Sequence, residues 1–356
     1  MQTPSNPEND LERLLEQAHL RYINRYAHGI KRQTKGKGFI YKDQKGEEVK
    51  DEKTLQRIQA LVLPPAWTDV WICPYANGHL QATGIDAAGR KQYRYHNRWL
   101  NLRNLNKFDS LVEFGKSIPK LRRQLRIDLK RRSMDKTKAC AIAISIIDHV
   151  FMRVGNSAYE EKYGSYGLTT LKSNHLRIKG PDCFFRFKGK KGVQQNLSLH
   201  SKELVRLLKK IKEIPGQALF QYYNDTGEIL HLESGDVNEY LKIHMGQDFT
   251  CKDFRTWAGT VLAFNLMFEA LHEENLRPTQ HALHQKTNSI LDQVAAALGN
   301  TRAVTKKYYV HPSLLQSFES AGFETAVTTI RQCNLKSNYK TGERELLRFM
   351  GKLANK

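Results

Sequence analysis

The sequence lacks long apolar runs and is poor in cysteine. None of its 356 residues lies in an apolar stretch of about 18 residues, and the N-terminal MQTPSNPENDLERLLEQ is polar. Neither a membrane span nor a secretory signal is therefore visible, and we expect a soluble, cytoplasmic protein. The five cysteines are dispersed and form no CxxC pair, which favours isolated reduced thiols over a disulfide framework or a zinc site. They are Cys73, Cys140, Cys183, Cys251 and Cys333.

Two further kinds of site also lack their residues. The GxxxxGK[ST] pattern of a P-loop is absent, so we expect no nucleotide cofactor bound by that route. Acidic residues lie mostly in polar stretches such as KGEEVKDEK, which disfavours a carboxylate-bound pair of Mg²⁺ ions. His272, His281 and His284 are close in sequence, but the polar loop HEENLRPTQHALH is more typical of solvated histidines than of metal ligands. We expect no metal and no other cofactor.

Negative charge is scarce relative to positive charge. The chain has 57 Lys and Arg against 36 Asp and Glu, a net charge of +21, which favours a polyanionic partner. Because 40% of the residues are hydrophobic, packed cores are expected and a disordered polycation is not. At roughly 150 residues per domain, the length predicts two domains.

The first predicted domain, residues 1–105, is β-rich. A polar helix is expected over NDLERLLEQAHLRY, and GIKRQTKGKG is typical of a loop or a basic edge. The short runs GFIYK, DVWICP, HLQATGID and KQYRYH are separated by turn signals, which predicts an antiparallel meander. One helix, TLQRIQALVL, is inserted among these strands.

The second predicted domain, residues 106–356, is mainly helical. Within the basic segment 116–138, Leu121, Leu125 and Leu129 form one stripe, which indicates an amphipathic helix with a cationic outer face. AIAISIIDHVFM predicts a buried helix, and LTTLKSNHLRIKG with FFRFKGKKGVQQNLSL a small antiparallel sheet. The remainder is helical, including NSILDQVAAALG, whose stop is Gly299. The fold class expected is α+β.

Phosphoryl transfer without a metal remains compatible with these residues. It needs a nucleophile, an acid for the leaving oxygen, and fixed cations around the phosphate. Arginine suits the last task because its planar fork donates to two phosphoryl oxygens and stays charged. A tyrosine phenolate can be the nucleophile. The phosphodiester that it forms is similar in energy to the bond that breaks, so the reaction is reversible without an energy source such as ATP. TRAVTKKYYVHP offers two adjacent phenols, but the same segment also fits a cationic helix end resting on a phosphate backbone.

Several blocks together resemble the small bacterial and poxvirus type IB DNA topoisomerases. PPAWTDVWICP and GHLQATGIDAAGRKQYRYH resemble that family's N-terminal DNA-binding module. RVGN, GSYGLTTLKSNH, FKGKKG, KDFRTWAGT and LGNTRAVTKKYYVHP resemble its catalytic blocks, in the family's order. The resemblance implies a two-domain clamp, C-shaped, around double-stranded DNA, acting as a monomer at the nucleoid. It also implies relaxation of positive and negative supercoils through a 3′-phosphotyrosyl intermediate, strand swivelling and religation, without ATP or metal.

Site residues are carried over from the resemblance by position. Tyr309 is similar to the nucleophile, whereas Tyr308 stands where the family usually has a small residue. Arg153 and Arg255 are similar to the arginines that hold the scissile phosphate, and Asn300 occupies the place of a histidine in the poxvirus and eukaryotic enzymes. Lys190 is similar to the lysine that protonates the leaving 5′ oxygen, with Lys188 and Lys191 as close alternatives. Lys252 is expected to assist at the phosphate backbone, and the expected DNA contacts of the first domain are Gln81, Lys91, Gln92, Tyr93 and Tyr95, of which Lys91, Tyr93 and Tyr95 share one strand face.

Two other functions compete with this one. Tyrosine recombinases use the same nucleophile and similar cations, but they typically carry H-x-x-R where this chain has Lys252-Asp253-Phe254-Arg255. An inactive architectural DNA-binding protein would keep the charge and lose turnover. All five catalytic positions hold a functional residue, which favours the topoisomerase.

Overall fold

The computed structural model describes residues 12, 15–24, 28–36, 38–87, 89–271, 279–320, 322–328 and 339–354. Cys333, His272 and residues 331–338 of the basic C-terminal segment lie outside the described residues, and so does part of the expected N-terminal helix. The chain divides into two compact units, Met1–Lys107 and Phe108–Lys356. Within the described ranges, none of the helices is both long and apolar enough to cross a bilayer.

Unit 1 is built on one antiparallel sheet of five strands in the order β2-β1-β3-β4-β5. One helix, Glu52–Ala60, begins after the N-cap Asp51, whose side chain accepts a hydrogen bond from Thr54 N. Ile58 of this helix packs with Ile30, Val70 and Ile72 from the sheet. The elements are β1 (Ile30–Lys35), β2 (Gly38–Lys42), α1 (Glu52–Ala60), β3 (Thr68–Ile72), β4 (Leu80–Ile85) and β5 (Lys91–Tyr95).

The expectation of a loop or basic edge at GIKRQTKGKG is wrong. Ile30–Lys35 forms β1, which is hydrogen-bonded to β2 on one side and to β3 on the other. Only Ile30 in this strand is buried, so no apolar alternation marks it in the sequence. Main-chain pairing with two neighbours overrides its polar composition.

Unit 2 is mainly helical, and the α+β fold class is confirmed. Its principal sheet has three antiparallel strands in the order β6-β7-β8, and a two-stranded hairpin lies apart from it. The division between the units falls within α2. The elements are α2 (Asn97–Asp128), α3 (Lys136–Val150), α4 (Ser157–Tyr163), β6 (Leu176–Lys179), β7 (Asp182–Lys188), β8 (Gln194–His200), α5 (Lys202–Lys212), β9 (Gln221–Tyr223), β10 (Ile229–His231), α6 (Ser234–Met245), α7 (Cys251–Ala270), α8 (Gln280–Leu298), α9 (Arg302–Tyr308), α10 (Pro312–Glu319), α11 (Gly322–Thr328) and α12 (Glu343–Ala354).

The stripe of leucines in the basic segment faces the core, as predicted. Leu121 and Leu125 of α2 are buried, and so is Leu129 just beyond its end. The cationic outer face is incomplete, however, because Arg122 points inward and forms ion pairs with Asp148 at 2.9 Å and Glu343 at 2.7 Å. Burial of an arginine is tolerated here because two carboxylates meet its guanidinium.

Only part of LTTLKSNHLRIKG is a strand. Leu168–Thr170 and Ser173–His175 are single 3-10 turns, and the strand is limited to Leu176–Lys179. Leu168 N donates to Arg153 O at 2.9 Å and Thr169 N to Val154 O at 2.7 Å. The main chain of this segment therefore bonds to the RVGN turn instead of extending the sheet.

Candidate active site

Tyr309 lies at the corner between two helices. It follows the last residue of α9, and its main-chain N donates to Thr305 O at 2.9 Å. Two residues later, His311 begins α10 because its Nδ1 accepts a hydrogen bond from Ser313 N at 3.1 Å. Burial lowers the pKa of the His311 imidazole to about 4, so it stays neutral and keeps this lone pair for the cap. The sequence VHP after the tyrosine is thus a helix start that fixes the corner.

The main chain of this corner rests against α7. An ideal Cβ on Gly259 would lie only 2.5 Å from Tyr309 O, so the absence of a side chain allows the close approach. Thr260 Oγ1 accepts a hydrogen bond from His311 N at 3.2 Å and lies 3.4 Å from Tyr309 O. The WAGT block therefore positions Tyr309. Sequence reasoning missed this role, and the one signal was a glycine inside a long helix.

Arg255 lies one helical turn before Gly259 and is directed at the tyrosine. Its guanidinium carbon is 5.3 Å from the centre of the Tyr309 ring, and it hydrogen-bonds the Tyr309 side chain. Only 4% of Arg255 is exposed, and its two terminal nitrogens donate to the carbonyl oxygens of Phe151 and Leu298. Burial, together with the positive charge of Arg153, lowers the pKa of Arg255 to about 10.

Arg153 extends from a tight turn at the end of α3. The helix ends at Val150 and is capped by Phe151, whose left-handed φ of 53° costs about 1–2 kcal/mol and directs its carbonyl to Arg255. The turn is held by two glycines in contact, since a Cβ on Gly167 would lie 2.5 Å from Gly155 N. From this turn Arg153 Nη2 donates to Asn300 Oδ1 at 2.7 Å.

Lys190 is carried on the hairpin that joins β7 to β8. Gly189 N donates to Val193 O at 2.8 Å, which closes the hairpin. Lys190 lines a small cavity together with Arg153 and Arg255. The Lys190 side chain reaches solvent, yet the surrounding protein and the charge of Arg153 lower the pKa of its ammonium.

The electrostatics of Tyr309 show that these groups act on one phenol. Burial by itself raises the pKa of Tyr309, but Arg255, Arg153 and Lys252 favour the phenolate and the net shift is downward. The structure thus brings Tyr309, Arg153, Arg255, Asn300 and Lys190 together, with Lys252 nearby. Tyr308 ends α9 and lies under the ammonium of Lys307, at 5.4 Å from Nζ to the ring centre.

Two buried N–H groups in this site have no acceptor among the described residues. They are Nε of Arg255 and Nδ2 of Asn300. An unsatisfied buried donor costs about 1–3 kcal/mol, so such groups call for an explanation. They belong to side chains that contact Tyr309 and Arg153, respectively.

The predicted DNA contacts of unit 1 differ in their accessibility. Lys91 and Tyr93 are exposed on β5, where the Tyr93 and Tyr95 rings stack with centres 6.0 Å apart. Gln92 donates to Asp86 Oδ2 at 2.9 Å. Gln81 is buried, since only 3% of it is exposed.

The amide of Gln81 is fully engaged within the protein. Its Nε2 donates to the carbonyl oxygens of Tyr75, Ala76 and Gly78 at 2.7–3.1 Å, and its Oε1 accepts from Arg57 at 2.9 Å. Gln81 therefore shapes the turn that presents Tyr75, which is exposed.

His281 and His284, near the start of α8, contact polar side chains. His281 Nε2 lies 2.8 Å from Gln285 Nε2, and His284 Nδ1 lies 3.3 Å from Glu319 Oε1. In the part of the chain that the structure describes, no three His, Cys, Asp or Glu side chains are grouped so as to hold a metal ion. The four described cysteines are free and buried.

Known proteins match both parts of the chain. Residues 96–334 match the family model "Eukaryotic DNA topoisomerase I, catalytic core", and residues 38–86 match "Bacterial DNA topoisomerase IB, N-terminal domain". DNA topoisomerase 1B of Acanthamoeba polyphaga mimivirus is 33% identical over 300 residues, covering 82% of this chain and 88% of that protein. DNA topoisomerase 1B of vaccinia virus (strain Copenhagen) is 23% identical over 285 residues, covering 78% and 86%.

Among solved structures, the XerH site-specific recombinase bound to its difH substrate aligns with a TM-score of 0.34 and 17% identity, covering 57% of this chain and 52% of that chain. A likeness of this size carries no conclusion about function. The two family models match different parts of the chain, residues 38–86 and 96–334, and the mimivirus relative aligns with 82% of it. All of these matches are to type I DNA topoisomerases. The chain belongs to the type IB DNA topoisomerases.

Proposed function

We propose that the protein relaxes supercoiled DNA by cutting one strand with Tyr309 and resealing it, without ATP or a metal ion. The observation that carries the proposal is the pair of buried, unsatisfied donors, Arg255 Nε and Asn300 Nδ2, beside a phenol whose pKa is lowered. A phosphate diester at this position would accept from both groups. It would also be bidentate to the fork of Arg153.

The chemistry proposed is one balanced exchange of oxygens on phosphorus. Tyr309 loses its phenol proton to solvent, and its oxygen bonds to the scissile phosphorus. The bond from phosphorus to the 5′ oxygen breaks with its electron pair on oxygen, and that oxygen takes a proton from the Lys190 ammonium. The product is a 3′-phosphotyrosine and a free 5′ hydroxyl, and resealing is the same sequence reversed.

The cations have separate roles in this scheme. Arg153 and Arg255 neutralise the charge that gathers on the nonbridging oxygens in the transition state, and Asn300 adds a hydrogen bond without titrating. Arg255 also stabilises the phenolate through its contact with Tyr309. A lowered pKa makes Lys190 a stronger acid toward the leaving oxygen, as a general acid requires.

DNA contacts outside the site are proposed on both units. Lys91 and Tyr93 are exposed on β5, with Tyr95 and Gln92 beside them, and Lys252 lies near the reacting tyrosine. For Gln81 we propose an indirect role through the turn at Tyr75, because its amide is already engaged. A DNA-enclosing clamp and action as a monomer at the nucleoid remain predictions, and the supply of all five site residues by one chain supports the latter.

The test is plasmid relaxation by the purified protein. We predict that negatively and positively supercoiled plasmids are both relaxed with EDTA present and ATP absent, because side chains, and not a metal ion, neutralise the charge on the phosphate. Arg153→Ala should lower the rate by at least about 100-fold, the size expected for losing one preorganised donor to developing charge. The matched control is Arg186→Ala, which removes an exposed arginine from β7. Loss of wild-type activity on chelation would contradict the metal-free scheme.

A further inference from the structure

A glutamine stands in a row of otherwise apolar, inward-facing positions on β8. This strand pairs with β7 so that Gln195, Leu197 and Leu199 lie opposite Phe187, Phe185 and Cys183. Directly paired residues share one face of a sheet, and here that face is buried at Phe187, Phe185 and Cys183. Alternation therefore calls for an apolar residue at position 195, and a polar one there needs a reason.

The Gln195 side chain lies between two glycines from different elements. An ideal Cβ on Gly189 would lie 2.8 Å from Gln195 Cγ. An ideal Cβ on Gly299 would lie 2.9 Å from Gln195 Oε1 and 3.1 Å from its Nε2. Gly189 is in the β7–β8 hairpin, whereas Gly299, at a left-handed φ of 60°, ends α8. Gln195 thus occupies space that any larger residue at either position would fill.

Both glycines directly precede residues of the proposed chemistry. Lys190 follows Gly189, and Asn300, which accepts from Arg153 at 2.7 Å, follows Gly299. Gln195 also lines the same cavity as Lys190, Arg153 and Arg255. One side chain therefore spans the interval between the hairpin that carries the acid and the corner that carries the hydrogen-bond donor.

We propose that Gln195 is a positioning residue that sets the distance of the Lys190 hairpin from the Gly299–Asn300 corner, and hence the alignment of the Lys190 ammonium with the leaving 5′ oxygen. This inference rests on the proposed role of Lys190. Tyr166 N donates to Lys188 O at 2.8 Å and holds the end of β7, whereas Lys190 and Lys191 beyond it are exposed, so Gln195 is the contact that relates this exposed tip to Gly299. A shift of about 1 Å at an acid can cost about 100-fold in rate.

The test compares two leaving groups in single-turnover cleavage. A cleavage site is first mapped with the wild-type protein, and duplexes are then made with oxygen or sulfur at the bridging 5′ position. A thiolate, whose conjugate acid has a pKa of about 8.5, departs without a proton donor, whereas an alkoxide needs one. The proteins compared are wild type, Gln195→Leu, Gln195→Met, Lys190→Ala and Gln194→Leu.

Gln194→Leu is the matched control, because Gln194 is the adjacent, exposed glutamine on the opposite face of β8. We expect Gln195→Leu and Gln195→Met to cleave the oxygen duplex about 10- to 100-fold more slowly and the sulfur duplex within about 3-fold of wild type. Gln194→Leu should match wild type on both duplexes. Gln195→Leu in a Lys190→Ala background should add no further loss on the oxygen duplex.

Equal slowing of both duplexes by the Gln195 variants would mean damage to the fold or to DNA binding, and would overturn the proposal. So would full activity of both variants on the oxygen duplex. A Lys190→Ala protein that is equally slow on oxygen and sulfur would instead overturn the acid role of Lys190. The two failures are therefore told apart within one experiment.

Discussion

At the scale of single residues, the phenol of Tyr309 is subject to two opposed effects on its pKa. Burial favours the neutral phenol, and Arg255, Arg153 and Lys252 favour the phenolate more strongly. The pKa of Lys190 is lowered as well, because partial desolvation by the surrounding protein and the charge of Arg153 both favour its neutral amine. Neighbouring cations thus favour the phenolate of the proposed nucleophile, Tyr309, and make the proposed acid, Lys190, a stronger acid.

This arrangement predicts the pH dependence of single-turnover cleavage. In the proposed scheme Tyr309 reacts deprotonated and Lys190 protonated, so the rate should rise as pH passes the pKa of Tyr309, which lies below 10, and fall as pH passes that of Lys190, which lies below 10.5. The two apparent values describe the coupled groups jointly. Rapid-quench cleavage across the alkaline range measures both limbs.

Two variants assign the limbs to residues. Lys190→Ala should slow the reaction and abolish the fall in rate at alkaline pH, because the variant has no ammonium group at position 190 that could be deprotonated. Arg153→Ala should move the rising limb to higher pH, because one of the charges that favour the phenolate is gone. An alkaline fall that persists in Lys190→Ala would contradict the assignment of the acid.

At the scale of elements, periodicity predicted most of what carries the site. The apolar pattern located α3 and α8, and the runs FFRFKGKKG and QQNLSL located the hairpin of Lys190. The strand β1 could not be predicted, because its residues other than Ile30 are not buried and its stability comes from pairing with two neighbours. Hydrophobic periodicity predicts which face of an element is buried, but it does not predict which strands distant in sequence will hydrogen-bond to its main chain.

The same limit explains why the packing of the Tyr309 corner against α7 was missed. Within α7, Gly259 appears as a weak position in a helix, at a cost of about 1 kcal/mol relative to alanine. The structure shows why glycine is needed there: Tyr309 O lies only 2.5 Å from the place where a Cβ of residue 259 would be. The arginine of the same block could be assigned from the resemblance, whereas the packing of the tyrosine corner could not.

Gly259→Ala tests this packing. The added Cβ would lie 2.5 Å from Tyr309 O and 3.1 Å from Leu298 Cδ1, so the corner must move away from α7. We expect single-turnover cleavage to fall by at least about 10-fold, since a displacement of that kind at a nucleophile is costly. Thermal unfolding is recorded in parallel to show that the protein remains folded.

Gly351→Ala is the matched control for that change. Gly351 is also a helical glycine, in α12, and a Cβ there would meet no atom within 4 Å. The control should be as active as wild type and slightly more stable, by about 1 kcal/mol at most. Wild-type activity of Gly259→Ala would show that the close approach to α7 does not position Tyr309.

At the scale of the whole molecule, charge and site point to the same substrate class. The net charge of +21 favours a polyanion, and the site places four cationic side chains near one phenol: Arg153, Arg255, Lys252 and Lys190. Composition predicted the partner class, and the resemblance predicted which residues meet. The geometry adds what neither could: the two unsatisfied donors of Arg255 and Asn300, and the place of Gln195 between two glycines.

The identity of the attacking residue and of the DNA end attached to it is the central claim. Denaturing the protein during turnover traps the covalent adduct, and nuclease digestion followed by mass spectrometry of the peptides locates the attached nucleotide. We predict a nucleotide on Tyr309 through its 3′ phosphate, a free 5′ hydroxyl on the other end, and no adduct from Tyr309→Phe, while Tyr308→Phe still forms one. A nucleotide on Tyr308, or a bond to the 5′ side of the break, would contradict the account.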